Sequence, residues 1–451
     1  MFSKDIIKKI KIEDLIIIFF PFVIITGPAL PDILACVLIF YFLINYYKEK
    51  NLNFKDDYWA YFFIAIFLWF VFISFFSYNS YLSFIDSIIF IRFFLFVYAV
   101  YYFCAIKTYL INYVLFAILI AISFVTFDTL FQFYNYDHQI GFKGDIFNIY
   151  PSGLYGRLNG PFKDFVPGAY LSRFYFFILI IFSLNEKIFN NKLLFFTFVI
   201  FLGIIFAVIF FSGEQMSVAT TLMGYFIIII FIKKLRKIVF LILFAGITFI
   251  AINKLAHPYY NDFVIIEQNA KHEGLIIERH FECKDKPNME CVKQFKKQPP
   301  ITTILKDFRH SPYGEIYNTS LQMWLNNKIT GVGLNNFQEV CTNDLSYNEY
   351  HQYFGCGSHP HNYYIQALTE SGLPGLILFI FLVLSFFYKF KDFLKYKHQV
   401  FGIIILLILF WPIMSTGSFL KNWNMIFICY LLGITLRINS INFKNFFKNE
   451  E

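Results

Sequence analysis

Charged side chains are scarce in this sequence, and that scarcity argues against an ordinary soluble fold. Asp, Glu, Lys and Arg make up 15% of the 451 residues, whereas hydrophobic residues make up 58%. A soluble domain carries about a quarter charged residues, so this apolar excess is too large for one buried core. The apolar residues also come in blocks of about 20, the length that crosses the hydrocarbon layer of a bilayer. The composition therefore predicts a polytopic membrane protein.

The sequence also lacks a recognisable cleaved signal, an internal repeat and a low-complexity tail. Its first apolar run is long, contains Pro21 and has no small-residue cleavage site, which is typical of an uncleaved first span. We predict an all-α protein with about twelve transmembrane helices. Their approximate bounds are 12–27, 30–47, 58–77, 84–104, 109–131, 168–184, 193–211, 216–232, 238–254, 373–388, 399–416 and 423–437.

The basic residues predict the orientation of these spans. Almost every Lys and Arg of the short connections falls on the side that holds both termini, whereas the short connections on the other side hold Lys421 alone. Basic loops stay in the cytoplasm, so we predict an inner-membrane protein with both termini cytoplasmic. The net charge of +8 then suits anionic lipid and needs no nucleic acid.

This topology divides the chain into three predicted parts. Residues 1–254 form a transmembrane bundle of nine spans with an external loop at 132–167. Residues 255–372 form a large, helical periplasmic loop domain between spans nine and ten. Residues 373–451 form spans ten to twelve and a cytoplasmic tail.

Four of the seven cysteines fall in the large loop, which is typical of an oxidising compartment. An even number there indicates two disulfides, although the order of pairing stays open. The simplest pairing joins Cys283 to Cys291 and Cys341 to Cys356. The alternative is a zinc site shared with neighbouring histidines, but the spacing fits no familiar zinc pattern.

The strongest candidate for chemistry is the segment that contains His359, Pro360, His361 and Asn362. A short helix is predicted after Pro360, with a stop at Gly372, so that His361 and Asn362 lie at a helix N-terminus. The helix dipole there disfavours a second positive charge and attracts phosphate. A neutral imidazole can accept a proton at physiological pH. The alternative is that His361 and Asn362 only cap the helix.

Two other sets of polar residues lie in or near apolar surroundings. Arg92, within the fourth span, could bind a lipid phosphate or could pair with an acidic residue, such as Asp86 or Asp128, to fix the bundle. Arg157 lies in the smaller loop with Gly160 and is followed by Arg173. These arginines could hold phosphate, or the segment could be an ordinary turn with solvated charges.

Taken in order, these motifs resemble the O-antigen ligase and O-antigen polymerase family of membrane glycosyltransferases. The resemblance rests on Gly27-Pro28-Ala29 with Asp32, Asp128 with Gln132, Arg157-Leu158-Asn159-Gly160-Pro161-Phe162 with Gly168, Ser212-Gly213-Glu214, Gly331-Val332-Gly333, and His359-Pro360-His361-Asn362-Tyr363 with Glu370 and Gly372. The last two motifs are the most specific.

The resemblance implies a GT-C-like fold and an activity. The family transfers a glycan from undecaprenyl diphosphate to an acceptor hydroxyl on the outer face of the inner membrane, without a metal or another cofactor. The acceptor would be a glycan or the lipid A core. By the same resemblance, His361 is the catalytic base with Asn362 beside it, and arginines hold the diphosphate.

The sequence departs from the family at the arginines that would hold the diphosphate. Gln215 stands where the family has an arginine after Ser212-Gly213-Glu214, and an amide cannot replace a bidentate cation. A second family arginine, before the amphipathic helix, has Arg309 as its nearest candidate. The residues predicted to bind substrate are Arg92, Arg157, Lys163, Arg173, Glu214, Gln215, Arg309 and His359.

Two other functions stay open from the sequence. One is a protein O-oligosaccharyltransferase of the same family, which differs only in its acceptor. The other is a non-catalytic polysaccharide or glycolipid transporter, to which Gln215 gives some support. Transporters tend to show inverted repeats and broken helices at mid-membrane, and the sequence shows neither.

Overall fold

The computed structural model describes residues 10–49, 57–137, 141–151, 157–164, 166–261, 264–265, 276–282, 290–296, 304, 306–350, 355–413 and 415–441. The chain forms two compact units. The first comprises Met1–Ala117, Phe308–Phe443 and Glu451, and the second comprises Ile118–Asp307 and Lys444–Glu450. The division therefore falls inside one helix and differs from the boundaries predicted from topology.

The first unit is helical. Its α-helices are α1 (Ile12–Val23), α2 (Ala29–Glu49), α3 (Tyr58–Ser74), α4 (Ser80–Ile106), the first part of α5 (Tyr109–Tyr134), α12 (Pro312–Asn326), α13 (Phe337–Asn343), α14 (Tyr363–Tyr388), α15 (Gln399–Phe410) and α16 (Asn422–Thr435). Short 3₁₀ turns lie at Ile24–Thr26, Phe308–His310, Leu345–Tyr350 and Ile438–Ser440.

The second unit combines helices with short strands. Its helices are the rest of α5, α6 (Pro167–Leu184), α7 (Glu186–Asn190), α8 (Lys192–Phe211), α9 (Gln215–Phe231), α10 (Arg236–Ala256) and α11 (Pro258–Asn261), with a 3₁₀ turn at Lys233–Leu235. Strands β1 (Tyr136–Asp137) and β2 (Gly141–Phe142) pair antiparallel. Strands β3 (Val264–Ile265), β4 (Ile276–Glu282) and β5 (Glu290–Lys296) form an antiparallel sheet in that order. The large loop, predicted to be helical, therefore also contains strands in this stretch.

The protein is an α-helical, multi-pass membrane protein. Among the described residues, seven helices are long and apolar enough to cross a bilayer, and four shorter apolar helices accompany them. A helix occupies the place of each of the twelve predicted spans. The number of crossings stays a prediction, because several of these helices are short for a bilayer of about 30 Å.

The eleventh predicted span ends earlier than the hydropathy indicates. Helix α15 stops at Phe410 instead of residue 416. The reason lies in the next two residues, because Trp411 precedes Pro412 and the residue before a proline is disfavoured in helical geometry. Residues 411–413 and 415–421 therefore form an irregular segment that contacts other parts of the first unit.

Side-chain caps begin several helices of the first unit. Asn79 accepts from Leu82 N at the start of α4, and Ser311 accepts from Gly314 N at the start of α12. Such caps satisfy backbone donors that the helix leaves unpaired and contribute roughly 1 kcal/mol each. They also set the residues at which the connecting segments end.

Candidate functional site

The histidine segment ends in an unusual backbone conformation. His361 has a φ of 55°, in the left-handed region that non-glycine residues seldom adopt. Helix α14 begins directly afterwards, and Asn362 is its N-cap: Asn362 Oδ1 accepts from Tyr364 N at 3.0 Å and from Ile365 N at 3.2 Å. The predicted helix-end position therefore belongs to Asn362. His361 lies one residue outside the helix, which is a correction to the sequence-based prediction.

The His361 ring lies in a cluster of aromatic and polar groups, which we call the histidine cluster: Tyr313, His359, His361 and Thr416. The ring centroid of His361 is 4.0 Å from that of His359 and 5.8 Å from that of Tyr313. Burial of the ring lowers the pKa of His361, hydrogen bonding to the Thr416 carbonyl opposes this change, and Lys421 lowers the pKa further. A carbonyl only accepts, so the His361 nitrogen that faces it carries the proton. The other nitrogen keeps its lone pair.

His359 has both of its ring nitrogens engaged by the protein. Nδ1 lies 2.9 Å from Ser358 Oγ, and Nε2 lies 3.3 Å from the Thr416 carbonyl oxygen. Burial lowers the pKa of His359 to about 3, with the neighbouring His361 and Lys421 acting in the same direction. His359 is therefore neutral at physiological pH, and its nitrogens orient the cluster instead of facing a substrate.

The irregular segment after α15 forms one wall of the histidine cluster. Thr416 N donates to the His361 carbonyl at 2.7 Å, and Asn362 Nδ2 donates to the Pro412 carbonyl at 2.7 Å. Further along α14, Gln366 Nε2 donates to Ser418 Oγ at 2.8 Å. The sequence analysis missed this wall. The Trp411-Pro412 pair is a signal for an irregular segment, but the predicted span 399–416 ran through it, and nothing in the sequence paired the segment with His361.

The first turns of α14 form a separate helical piece that ends at Gly372. This glycine has φ 69° and ψ −175° inside the otherwise continuous helix, so the predicted break at Gly372 is confirmed. The Gly331-Val332-Gly333 turn lies against the end of this piece: Val332 N donates to the Thr369 carbonyl at 2.9 Å, and Gly333 N donates to the Glu370 carbonyl at 3.0 Å. The glycine motif therefore supports the helix that follows His361.

The buried carboxylate of Glu370 links this helical piece to the neighbouring glycine turn. Its carboxylate accepts from Gln366 Nε2 at 2.9 Å, and Glu370 is 1% exposed. Backbone amides of Asn335 and Phe337 also donate to it. These contacts give Glu370 a structural role, and they join the glycine turn, the helix and Ser418 through one buried network.

A second polar cluster lies in the other unit and is centred on Glu214, which precedes α9. Its carboxylate accepts from Gly168 N at 3.0 Å and from Ser217 Oγ at 3.2 Å. Burial raises the pKa of Glu214, while Arg157 and, more weakly, Arg173 act in the opposite direction. The structure thus brings Glu214 near Arg157 and Arg173, each of which precedes it by more than 40 positions. We call this group the glutamate cluster.

The neighbouring turn of the same unit is fixed by Gln132. Its Oε1 accepts from Asn159 N at 3.0 Å and from Gly160 N at 2.9 Å, while its Nε2 donates to Asn159 Oδ1 at 2.8 Å. Gly160 has a φ of 50°, and a Cβ there would lie 2.4 Å from Thr129 Oγ1. This turn is therefore built into the fold rather than simply solvated, and it positions Arg157.

The remaining predicted residues are scattered. Arg92 pairs with Asp32 at 2.9 Å and also contacts Asn422, so its partner is neither Asp86 nor Asp128. This pairing favours the structural role for Arg92. Lys163 and Arg309 are exposed, and Gln215 is the first residue of α9.

The disulfide between Cys341 and Cys356 is confirmed, with a Cα–Cα distance of 5.4 Å. The second predicted pairing, Cys283–Cys291, lies outside the described residues. Cys341 belongs to an apolar core in the first unit that includes Met323 and Phe337. The disulfide therefore anchors the segment that leads into the histidine cluster.

Within the parts of the chain that the structure describes, no group of three or more His, Cys, Asp or Glu side chains is placed to hold a metal ion. A pair of imidazoles with a carbonyl between them is suited to accept a proton and orient a hydroxyl.

Residues 198–380 match the family model described as Wzy_C, O-antigen ligase. This segment includes the glutamate, glycine and histidine motifs, and it confirms the resemblance to the O-antigen ligase and polymerase family. These residues form an O-antigen ligase domain, and the function is membrane glycosyl transfer of the ligase or polymerase kind. A search of curated proteins found no match.

Proposed function

We propose that the protein transfers or polymerises a glycan from an undecaprenyl-diphosphate-linked oligosaccharide onto an acceptor hydroxyl. The reaction would take place at the periplasmic face of the inner membrane, with both termini in the cytoplasm. The observation that carries the proposal is the half-buried imidazole of His361 just before α14, whose pKa burial lowers, within the matched domain. No metal or other cofactor takes part in the proposed reaction.

His361 is the proposed catalytic base. Its unprotonated nitrogen takes the proton of the acceptor hydroxyl while the acceptor oxygen forms a bond to the anomeric carbon of the donor sugar. The bond from that carbon to the diphosphate oxygen breaks, and undecaprenyl diphosphate leaves with the bonding electron pair. A positioned base of this kind contributes on the order of 100- to 10,000-fold in rate.

Asn362 and His359 take positioning roles in this mechanism. The Asn362 amide caps α14 and donates to the Pro412 carbonyl, which leaves it engaged on both sides. The His359 nitrogens are engaged by Ser358 and Thr416. Both residues fix the backbone of His361 between them, and the strained φ of 55° is typical of residues held at functional sites.

We propose separately that the glutamate cluster binds phosphate, from contacts that all lie within its own unit. Arg157 and Arg173 supply charge-assisted donors of the type that holds phosphate, and Lys163 is an exposed cation six positions after Arg157. Glu214 supports this role by holding the Gly168 amide at the start of α6. Gln215 in place of an arginine makes the enzyme depend more heavily on these other cations.

The experiment compares glycan transfer by His361→Ala and His310→Ala in purified, full-length protein supplied with the lipid-linked donor. We expect His361→Ala to lower transfer at least 100-fold, because the base is lost. His310 is exposed and lies in the same unit, so His310→Ala controls for the loss of an imidazole as such. Undiminished transfer by His361→Ala refutes the assignment.

A deletion strain identifies the acceptor. Loss of a ligase leaves long glycan chains on the carrier lipid, whereas loss of a polymerase leaves single repeat units on the lipid core. Loss of a protein O-oligosaccharyltransferase removes glycan from proteins. Unchanged glycan on the carrier lipid, the lipid core and proteins would refute a role in glycan transfer.

A further inference from the structure

Lys421 lies beside the histidine cluster although no sequence motif pointed to it. It is the N-cap residue of α16, at the end of the irregular segment that contacts His361. Its ammonium donates to Ser358 Oγ at 3.4 Å, and both side chains are exposed. Lys421 is therefore a cation that a ligand from outside the fold can reach.

The hydrogen bonds around Lys421 have only one possible direction. The Thr416 carbonyl accepts, so His359 Nε2 carries the proton and Nδ1 carries a lone pair. The Ser358 hydroxyl then donates to Nδ1, and the remaining lone pair of Ser358 Oγ accepts from Lys421. An ammonium has three N–H groups, and this chain uses one of them. The chain orients Lys421 without neutralising it.

The acidic side chains of the same unit engage other partners. Asp32 pairs with Arg92, Glu370 accepts from Gln366, and Lys421 forms no ion pair among the residues that the structure describes. The positive charge of Lys421 acts electrostatically on the histidine cluster, because it lowers the pKa of both His359 and His361. With both imidazoles neutral, the exposed edge of the cluster carries a net positive charge.

The backbone that carries Lys421 is held firmly. The next residue, Asn422, donates to Asp32 Oδ2 at 3.1 Å and accepts from Arg92. Earlier in the segment, Phe419 N donates to Gln366 Oε1 at 3.2 Å. The ion pair of Asp32 and Arg92 therefore fixes the start of α16, and Lys421 with it.

We propose that Lys421, oriented by Ser358, is a phosphate-binding residue of the histidine cluster. An ammonium with two further N–H groups beside a neutral base suits an anionic substrate whose other end presents a hydroxyl or a sugar to His361. This inference rests on the proposed function in one respect only, namely which molecule carries the phosphate. That phosphate belongs either to the diphosphate of the donor or to the headgroup of a bilayer lipid.

The test measures binding to the full-length protein in nanodiscs of zwitterionic lipid. The probes are sugar-free undecaprenyl diphosphate and, separately, fluorescent phosphatidylglycerol. All proteins carry His361→Ala, so that binding is read without turnover. To this background we add Lys421→Met, Lys421→Arg or, as a matched control, Lys328→Met. Lys328 is an exposed lysine of the same unit outside the histidine cluster.

We expect Lys421→Met to weaken binding of one probe by roughly 10-fold or more, as for a lost hydrogen bond to a charged group. Lys421→Arg keeps the charge and should stay within about threefold, and Lys328→Met should match the parent. The probe that weakens identifies the source of the phosphate. The inference is overturned if Lys421→Met binds both probes like the parent, or if Lys421→Arg weakens binding as much as Lys421→Met.

The two proposals fail in different ways. Normal transfer by the His361→Ala protein would refute His361 as the base and leave the binding comparison intact. Conversely, equal binding by the Lys421 variants would refute the phosphate site while His361→Ala still abolished transfer.

Discussion

A methyl group added at Gly372 should push the first turns of α14 away from the Gly331-Val332-Gly333 turn that supports them. Its backbone lies at φ 69° and ψ −175°, a region that is essentially restricted to glycine. A Cβ at this position would lie 2.0 Å from the Ile329 carbonyl oxygen. Ile329 immediately precedes the turn that donates to Thr369 and Glu370, so an overlap there pushes the turn away from α14.

The cost of Gly372→Ala has two parts. The backbone strain of a non-glycine residue in this region is of order 1–3 kcal/mol. The overlap with Ile329 adds about 1–3 kcal/mol, as for overpacking in a tight core. Gly27 provides a matched control, because it has a φ of 100° and a ψ of −166° but no heavy atom lies within 4 Å of where its Cβ would stand. Gly27→Ala therefore carries the strain without the overlap.

The assay follows thermal unfolding and glycan transfer of the two variants in the same detergent. We expect Gly372→Ala to unfold at a lower temperature than Gly27→Ala. Transfer should also fall further, because a displacement of about 1 Å at a reacting group can cost about 100-fold in rate. If Gly372→Ala were as stable and as active as Gly27→Ala, the proposal that the Gly331-Val332-Gly333 turn supports the first turns of α14 would be wrong.

Two further predictions concern the charges of the two clusters. Arg157→Met should lower transfer at least 10-fold because it binds the diphosphate more weakly. Arg157→Lys keeps the charge and should retain part of the transfer activity. An equal loss of activity in both variants would instead indicate a structural role for Arg157. Burial lowers the pKa of His361 from the usual 6.5 of an imidazole, so protonation of the base shifts to lower pH. The acid limb of the kcat/KM profile should therefore lie below pH 6.5, and a limb at or above this value would contradict the assignment of His361 as the base.

The same lowered pKa values determine how stability depends on pH. The pKa of His359 is about 3 in the folded protein, against 6.5 for an unperturbed imidazole. The unfolded chain binds more protons between these two values, so stability rises with pH across that window. The contribution of His359 is fully present above pH 6.5 and is lost as the pH falls toward 3.

The sequence by itself determined the class of this protein and the position of its helices. Apolar blocks of about 20 residues identify membrane helices because the thickness of the bilayer fixes their length. The ordered motifs identified the O-antigen ligase domain, and the break at Gly372 followed from local chemistry alone. The pairing of Cys341 with Cys356, 15 positions apart, was the simplest of the pairings that the sequence left open, and the structure selected it.

Only the tertiary structure decided which groups surround His361. Thr416, Ser418 and Lys421 reach the histidine segment from more than 50 positions further along the chain, and hydropathy had assigned Thr416 to a span. Likewise, Asp32 rather than Asp86 neutralises Arg92, because packing between helices selects the partner of a buried charge. Contacts between distant segments depend on how the helices pack. A local pattern of apolar and polar residues does not predict which distant segments come into contact.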